Sequence, residues 1–264
     1  MGIPGSTTAA PGATVRDADD VAALGTVLGV WAHPDDEVYL SGGLMAAALA
    51  AGQRVVVVTA TRGERGTDDP DALPPGPLAQ LRRDELAASL ALLGDGVEHR
   101  FLGDRIGAWY LDGRLAHGSG EPAVAELAAI VDEVAPDTVL TFGPDGMTGH
   151  SDHRAVSSWT SRALDRCAGA ATRVLHATLS EAWVGRFGHL VEPMDDGADV
   201  FPVVPAAELA VDLGLPTALL DRKVAALRAQ TSQTAPLERA LGAQTYRAFV
   251  AHELFRPAPA GAGR

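Results

Sequence analysis

The apolar residues of this chain fall into short unbroken runs that alternate with longer stretches of helical periodicity. Val55–Thr59 (VVVVT) is the clearest run, because consecutive β-branched residues suit a strand covered on both faces. Thr26–Trp31, His99–Leu102, Thr138–Phe142, Val174–Leu179 and Leu209–Leu213 predict further strands. Helical spacing covers Val38–Ala51, stopped by Gly52, and Leu78–Leu93, stopped by Gly94. It returns over Ala123–Val134, His153–Ala168 and Thr217–Ala229. This alternation, without internal repeats, predicts an α/β fold with an open, mostly parallel sheet and helices on both faces. In such sheets ligands bind beyond the carboxyl ends of the strands.

The ends differ in character. Residues 1–22 are rich in Gly, Pro, Ser, Thr and Asp and are expected to form a flexible arm, and residues 257–264 a frayed tail. A single domain is expected over 23–256. The N-terminus lacks the basic and apolar regions of a signal peptide, and the apolar stretch near Leu44–Ala51 is too short to span a bilayer. One cysteine, Cys167, excludes an internal disulfide, so a cytoplasmic protein is expected. The net charge of -13 argues against a nucleic-acid partner. Lys223 is the only lysine. Self-association into a homo-oligomer is left open.

Two polar clusters lie where ligands are expected. His33-Pro34-Asp35-Asp36-Glu37 follows the strand ending at Trp31, and His150-Ser151-Asp152-His153 lies in the loop after the strand ending at Phe142. A His and a carboxylate three apart at a strand-to-helix turn can face one metal, and an imidazole from the later loop completes three ligands. Three His/Asp ligands leave a fourth position open, as in catalytic zinc sites. Fe2+, Co2+ or Mn2+ would accept the same donors. The bland alternative is that acidic residues at a helix start merely cap it.

The clusters resemble the signature pair of the PIG-L/LmbE-like deacetylases, AHPDDE and a distant GHxDH. Thr61–Gly66 (TRGERG), Arg82–Leu86 (RRDEL) and Pro144–His153 (PDGMTGHSDH) are similar to further blocks of that family, so the resemblance covers about half the chain. It implies a Rossmann-like fold and a Zn2+-dependent hydrolase that removes an N-acetyl group from an amino-sugar conjugate, a small-molecule substrate. It makes His33, Asp36 and His153 the metal ligands and Asp35 the general base. His150 is expected to stabilise the oxyanion as an imidazolium, with Asp152 orienting it. Arg82 either contacts substrate or pairs with Glu85 on its own helix, and Glu64 either steadies the metal loop or is solvated. Glu37 reads equally as a helix cap. His99, His117, His176, His189 and His252 are expected in structural or surface roles.

Two departures matter. Ser151 replaces a proline of the third block, and Thr148 stands where deacetylases of mycothiol metabolism carry a tyrosine that polarises the carbonyl. The substrate therefore stays open. Competing readings are an amidase acting on a larger N-acyl conjugate and an inactive sugar-binding protein on the same scaffold. The loops 68–77, 103–120 and 181–198 are expected to shape the choice of substrate.

Overall fold

The computed structural model describes residues 13–167, 172–190 and 202–259. Along the chain these form β1 (Val27–Trp31), α1 (Asp36–Ala50), β2 (Val55–Thr59), α2 (Pro75–Leu93), β3 (Val97–Phe101) and α3 (Glu121–Val134). There follow β4 (Thr138–Phe142), α4 (Ser151–Leu164), β5 (Arg173–Ala177), β6 (Leu179–Ser180), α5 (Glu181–Phe187) and β7 (Val203–Val204). The last elements are β8 (Val211–Gly214), α6 (Thr217–Ala229), α7 (Thr231–Leu241), α8 (Ala243–Phe249) and β9 (His252–Pro257).

The main sheet has seven strands in the order β3-β2-β1-β4-β5-β9-β8. Its first five strands are parallel, while β9 runs antiparallel to both β5 and β8. β1, β2 and β4 are buried along their whole length, which is why their sequences read as unbroken apolar runs. α1, α2 and α6 pack together in one layer and α3 with α4 in another. The expected α/β fold with a mostly parallel sheet is therefore present. Strand order reverses between β1 and β4, so the loops that leave their carboxyl ends diverge there and open a crevice.

Some expected boundaries move. Residues 13–22 are not a loose arm: Val15 is fully buried and bridges to Val211, and Val21 and Leu24 enter the core from a short 3-10 turn. The rest of the expected arm, and residues 260–264 of the expected tail, lie outside the described residues. Strand β9 escaped the sequence pattern because its apolar run is only Leu254–Phe255, flanked by the charged Glu253 and Arg256. Glu253 nonetheless faces inward, where its carboxylate accepts hydrogen bonds from Gly43 N–H and Leu44 N–H, both at 2.7 Å, and from Lys223 Nζ. Among the described residues no helix is long and apolar enough to cross a membrane.

Candidate active site

The turn from β1 into α1 and the turn from β4 into α4 bring His33, Asp35, Asp36, His150, Asp152 and His153 to the crevice. Asp35 lies at the helix entry with φ 127°, a conformation a non-glycine residue avoids. Glu37 stabilises it, its carboxylate accepting from Asp35 N–H at 3.1 Å and from Gln230 Nε2 at 2.9 Å. Glu37 is fully buried, and burial with the nearby Asp35 pushes its carboxyl up to about 8.

Asp36 turns back onto its own loop. Its Oδ2 accepts from Ala32 N–H and His33 N–H at 3.2 and 2.8 Å, while Oδ1 stands 3.4 Å from His153 Nε2. His153 stacks on Phe142 with ring centroids 4.0 Å apart, and its Nδ1 lies 3.0 Å from Gly146 O and 3.2 Å from Thr148 Oγ1. A proton on Nδ1 satisfies those acceptors and leaves Nε2 free to face Asp36. Thr148, where a tyrosine was expected in related sequences, thus helps orient His153.

His33 is held from its far side. Its Nε2 is 3.2 Å from Asp112 Oδ1 and 3.3 Å from Asp152 Oδ2, while Nδ1 points toward Asp36 Oδ2 at 3.6 Å. Burial opposes a charge on this ring, but Asp112, Asp152 and Asp36 overcome it and hold its pKa well above 6.5. Burial likewise opposes the charge of Asp36, and His153 and His33 override it, keeping that carboxyl well below its usual range. His33, Asp36 and His153 each offer a ligand atom within 4.8 Å of the others. With Nδ1 of His33 and Nε2 of His153 turned inward and their other nitrogens engaged, the donor set fits a divalent cation. His33, His150 and Asp152 form a second close group. There the Asp152 carboxylate is already occupied by Gly113 N–H at 2.7 Å, Leu115 N–H at 3.0 Å and His33.

That arrangement changes two expectations. Asp152 does not orient His150 through its carboxylate, because those oxygens face His33 and the loop after β3. Its backbone N–H instead donates to His150 Nδ1 at 3.1 Å. A ring that accepts at Nδ1 is neutral and carries its proton on Nε2, so His150 is not an imidazolium here. Burial and the neighbouring His33 lower its pKa in the same direction.

Arg82 is not a surface residue paired with Glu85. It is buried; Nη1 donates to Gly63 O at 3.0 Å, Nη2 donates to Pro34 O, and Nη2 lies 3.3 Å from Asp35 Oδ2. Glu85 binds Ser232 instead. A Cβ on Gly63, which has φ +63°, would stand 2.2 Å from the guanidinium, so only glycine admits this approach. Burial pushes Asp35 up to about 7 against the pull of Arg82. Glu64 is also buried, and its carboxylate accepts from Asp112 N–H at 2.9 Å.

Asp112 escaped the sequence reading, since Asp-Gly in a loop reads as a turn and nothing local ties it to His33. Tyr39, Leu40, Trp183, Leu237 and Phe249 escaped it as well, and all line the cavity of about 480 Å³ that opens onto the cluster. His252 also lines this cavity. His99 lies in β3, 3.0 Å from Thr59 Oγ1, and His176 is buried in β5.

A family model described as PIG-L, GlcNAc-PI de-N-acetylase, matches residues 28–164. A 1D-myo-inositol 2-acetamido-2-deoxy-alpha-D-glucopyranoside deacetylase of Kineococcus radiotolerans is 35% identical over 249 residues, covering 78% of this chain and 68% of the relative. Its counterpart of the same name in Saccharomonospora viridis is 32% identical, covering 78% and 84%. Among solved structures, N,N'-diacetylchitobiose deacetylase from Pyrococcus horikoshii superposes with a TM-score of 0.58, 22% identity, and coverage of 89% of this chain and 84% of that one. At that identity the last likeness concerns the fold alone.

Proposed function

This chain belongs to the PIG-L family of de-N-acetylases, and we propose that it is a Zn2+-dependent hydrolase that removes the N-acetyl group of a GlcNAc-type amino-sugar conjugate. The observation that carries the reading is the inward-facing trio of His33 Nδ1, Asp36 and His153 Nε2 beside an unligated carboxylate, Asp35. Zinc is favoured among divalent cations because two imidazoles and one carboxylate, with a position left for water or substrate, are its common catalytic donor set. When bound, the ion supplies a Lewis acid that polarises the amide carbonyl and makes water a better nucleophile.

The chain's own residues do the rest. Asp35 takes the proton of the attacking water and delivers it to the leaving nitrogen, which departs as the free amine with acetate as the other product. Arg82 and Glu37 keep Asp35 aimed, one from its carboxylate and one from its backbone. His150, neutral with its proton on Nε2, lines the cavity and donates to the oxygen that gains charge at the tetrahedral stage. Asp152 and Asp112 fix the ring of His33 through Nε2, which would leave Nδ1 to hold the ion.

The test is acetate release from a panel of N-acetylglucosaminides by protein loaded with one equivalent of zinc. Chelation is expected to abolish release and zinc to restore it. Absence of acetate from every member of the panel overturns the proposal.

A further inference from the structure

The cavity beside the cluster is lined by two kinds of side chain. Asp35, Arg82, Asp112 and Gln233 serve or adjoin the candidate chemistry, while Tyr39, Leu40, Trp183, Leu237 and Phe249 supply apolar and aromatic surface. These five come from three separate parts of the chain: α1, α5, and the α7–α8 segment. Each is only half-buried, unlike the fully covered side chains of the sheet, so their free faces border the cavity.

Three of the five, Tyr39, Trp183 and Phe249, are held by contacts within the protein. The Trp183 indole donates from Nε1 to Phe249 O at 3.2 Å, and its ring meets that of Phe249 with centroids 4.9 Å apart. Tyr39 meets Tyr246 edge-on, their hydroxyls 3.2 Å apart. Side chains already fixed in place lose little entropy when they take up a ligand. The charge pattern points the same way. Among the described residues Arg82 is the only Lys or Arg that lines the cavity, and its charge is engaged by Asp35. Glu253, which also lines it, is engaged by Lys223 and two backbone N–H groups. Among the described residues no cluster of cations that would hold a phosphate lines the cavity.

We propose that the substrate carries an apolar aryl or alkyl group close to the scissile amide, seated on Tyr39, Leu40, Trp183, Leu237 and Phe249. This rests on the amide-hydrolase reading above. The group has two possible attachments, the aglycone of the amino sugar or an N-acyl chain longer than acetyl, and the chemistry of these side chains is the same for both.

The experiment compares methyl N-acetylglucosaminide, phenyl N-acetylglucosaminide and N-hexanoylglucosamine as substrates of the zinc-loaded protein. Binding of the methyl and phenyl glycosides to the metal-free protein is measured beside them by calorimetry. We expect kcat/KM for phenyl or hexanoyl to exceed that for methyl by about tenfold or more, the return for burying part of a ring or chain. Which of the two gains identifies the attachment. Leu237→Asn and Trp183→Ala are expected to bring the ratio toward one, two variants guarding against the misfolding of either. Equal kcat/KM across the three substrates overturns the apolar subsite while leaving the deacetylase reading intact. If no amide is cleaved, the hydrolase reading falls; equal affinity of the metal-free protein for the methyl and phenyl glycosides and, measured in the same way, for N-hexanoylglucosamine overturns the subsite separately.

Discussion

The guanidinium of Arg82 stands 3.3 Å from the carboxylate of Asp35, inside a protein layer that buries Arg82 almost completely. The same guanidinium binds the carbonyl oxygens of Gly63 and Pro34, so one side chain ties the TRGERG loop, the metal loop and the proposed base together. In the proposed mechanism Arg82 acts by positioning Asp35. Arg82→Lys is expected to lower kcat by roughly tenfold or more with little change in KM, since a single ammonium cannot serve three acceptors in the geometry of the fork. A rise in KM with kcat unchanged would restore a substrate-binding role.

Asp35 itself is expected to contribute roughly 10²–10⁴-fold to turnover, the range for a positioned general base. Asp35→Asn keeps the shape of the loop and should keep the bound metal, whereas His33→Ala should lose metal and activity together. Metal content by mass spectrometry, read beside acetate release, separates the two. An Asp35→Asn protein with normal turnover would falsify the assignment of the base.

Asp112 and Asp152 meet at one nitrogen, His33 Nε2. Carboxylates in that position raise the basicity of a ligand ring and fix its orientation, typically contributing 10–100-fold to metal affinity. Asp112→Ala is expected to weaken zinc binding by about that factor in competition with a chromophoric chelator. Glu64→Ala should produce a smaller loss, because Glu64 acts on Asp112 only through its backbone N–H. Unchanged affinity in Asp112→Ala would separate this carboxylate from the metal centre.

How much of this was legible in the sequence follows from how local each feature is. The strands at the centre of the sheet announced themselves because burial on both faces demands unbroken apolar runs. Strand β9 did not, because its inward Glu253 is satisfied by Lys223 and by α1, partners about 30 and 210 residues away in sequence. The two polar clusters were legible because each is packed into one turn. What His33 leans on was not, since Asp112 reaches it across a long loop. The protonation of His150 was inverted for a similar reason: the deciding donor is the backbone N–H of Asp152, and no sequence pattern shows where a backbone N–H points.

Burial of uncharged histidines gives the fold an acid-sensitive margin. His176 lies in β5 between Thr141 and Arg256, and burial together with Arg256 pushes its pKa from 6.5 to about 4, with Asp145 opposing. Burial and Arg83 lower His99 to about 4 as well. Between pH 6.5 and 4 the unfolded chain binds these protons and the folded one does not. Their contribution to stability is therefore complete above pH 6.5 and is lost as the pH falls toward 4. In His176→Leu the pH dependence of unfolding free energy over that window should be shallower by up to about 1.4 kcal/mol per pH unit, the slope of one proton. Urea melts of metal-free wild type and variant at several pH values check this, and parallel curves would exclude His176 as a contributor.

The sole lysine of the chain is also, among the described residues, its least exposed cation. Lys223 Nζ lies 2.8 Å from Glu253 Oε1, and both side chains are fully shielded from water. Burial lowers the Lys223 pKa, while Glu253 opposes that shift. Removing one member leaves the other buried without its counter-charge, which typically costs about 3–5 kcal/mol, so Lys223→Met should lower the melting temperature markedly. Glu253 still has the N–H groups of Gly43 and Leu44 in that variant, which places the loss toward the lower end of the range. The double variant Lys223→Met/Glu253→Gln removes both charges and should be more stable than the sum of the two single losses allows, by about 1 kcal/mol or more. Additive losses in that cycle would mean that the ion pair contributes no coupling energy between α6 and β9, which would then be joined by packing alone.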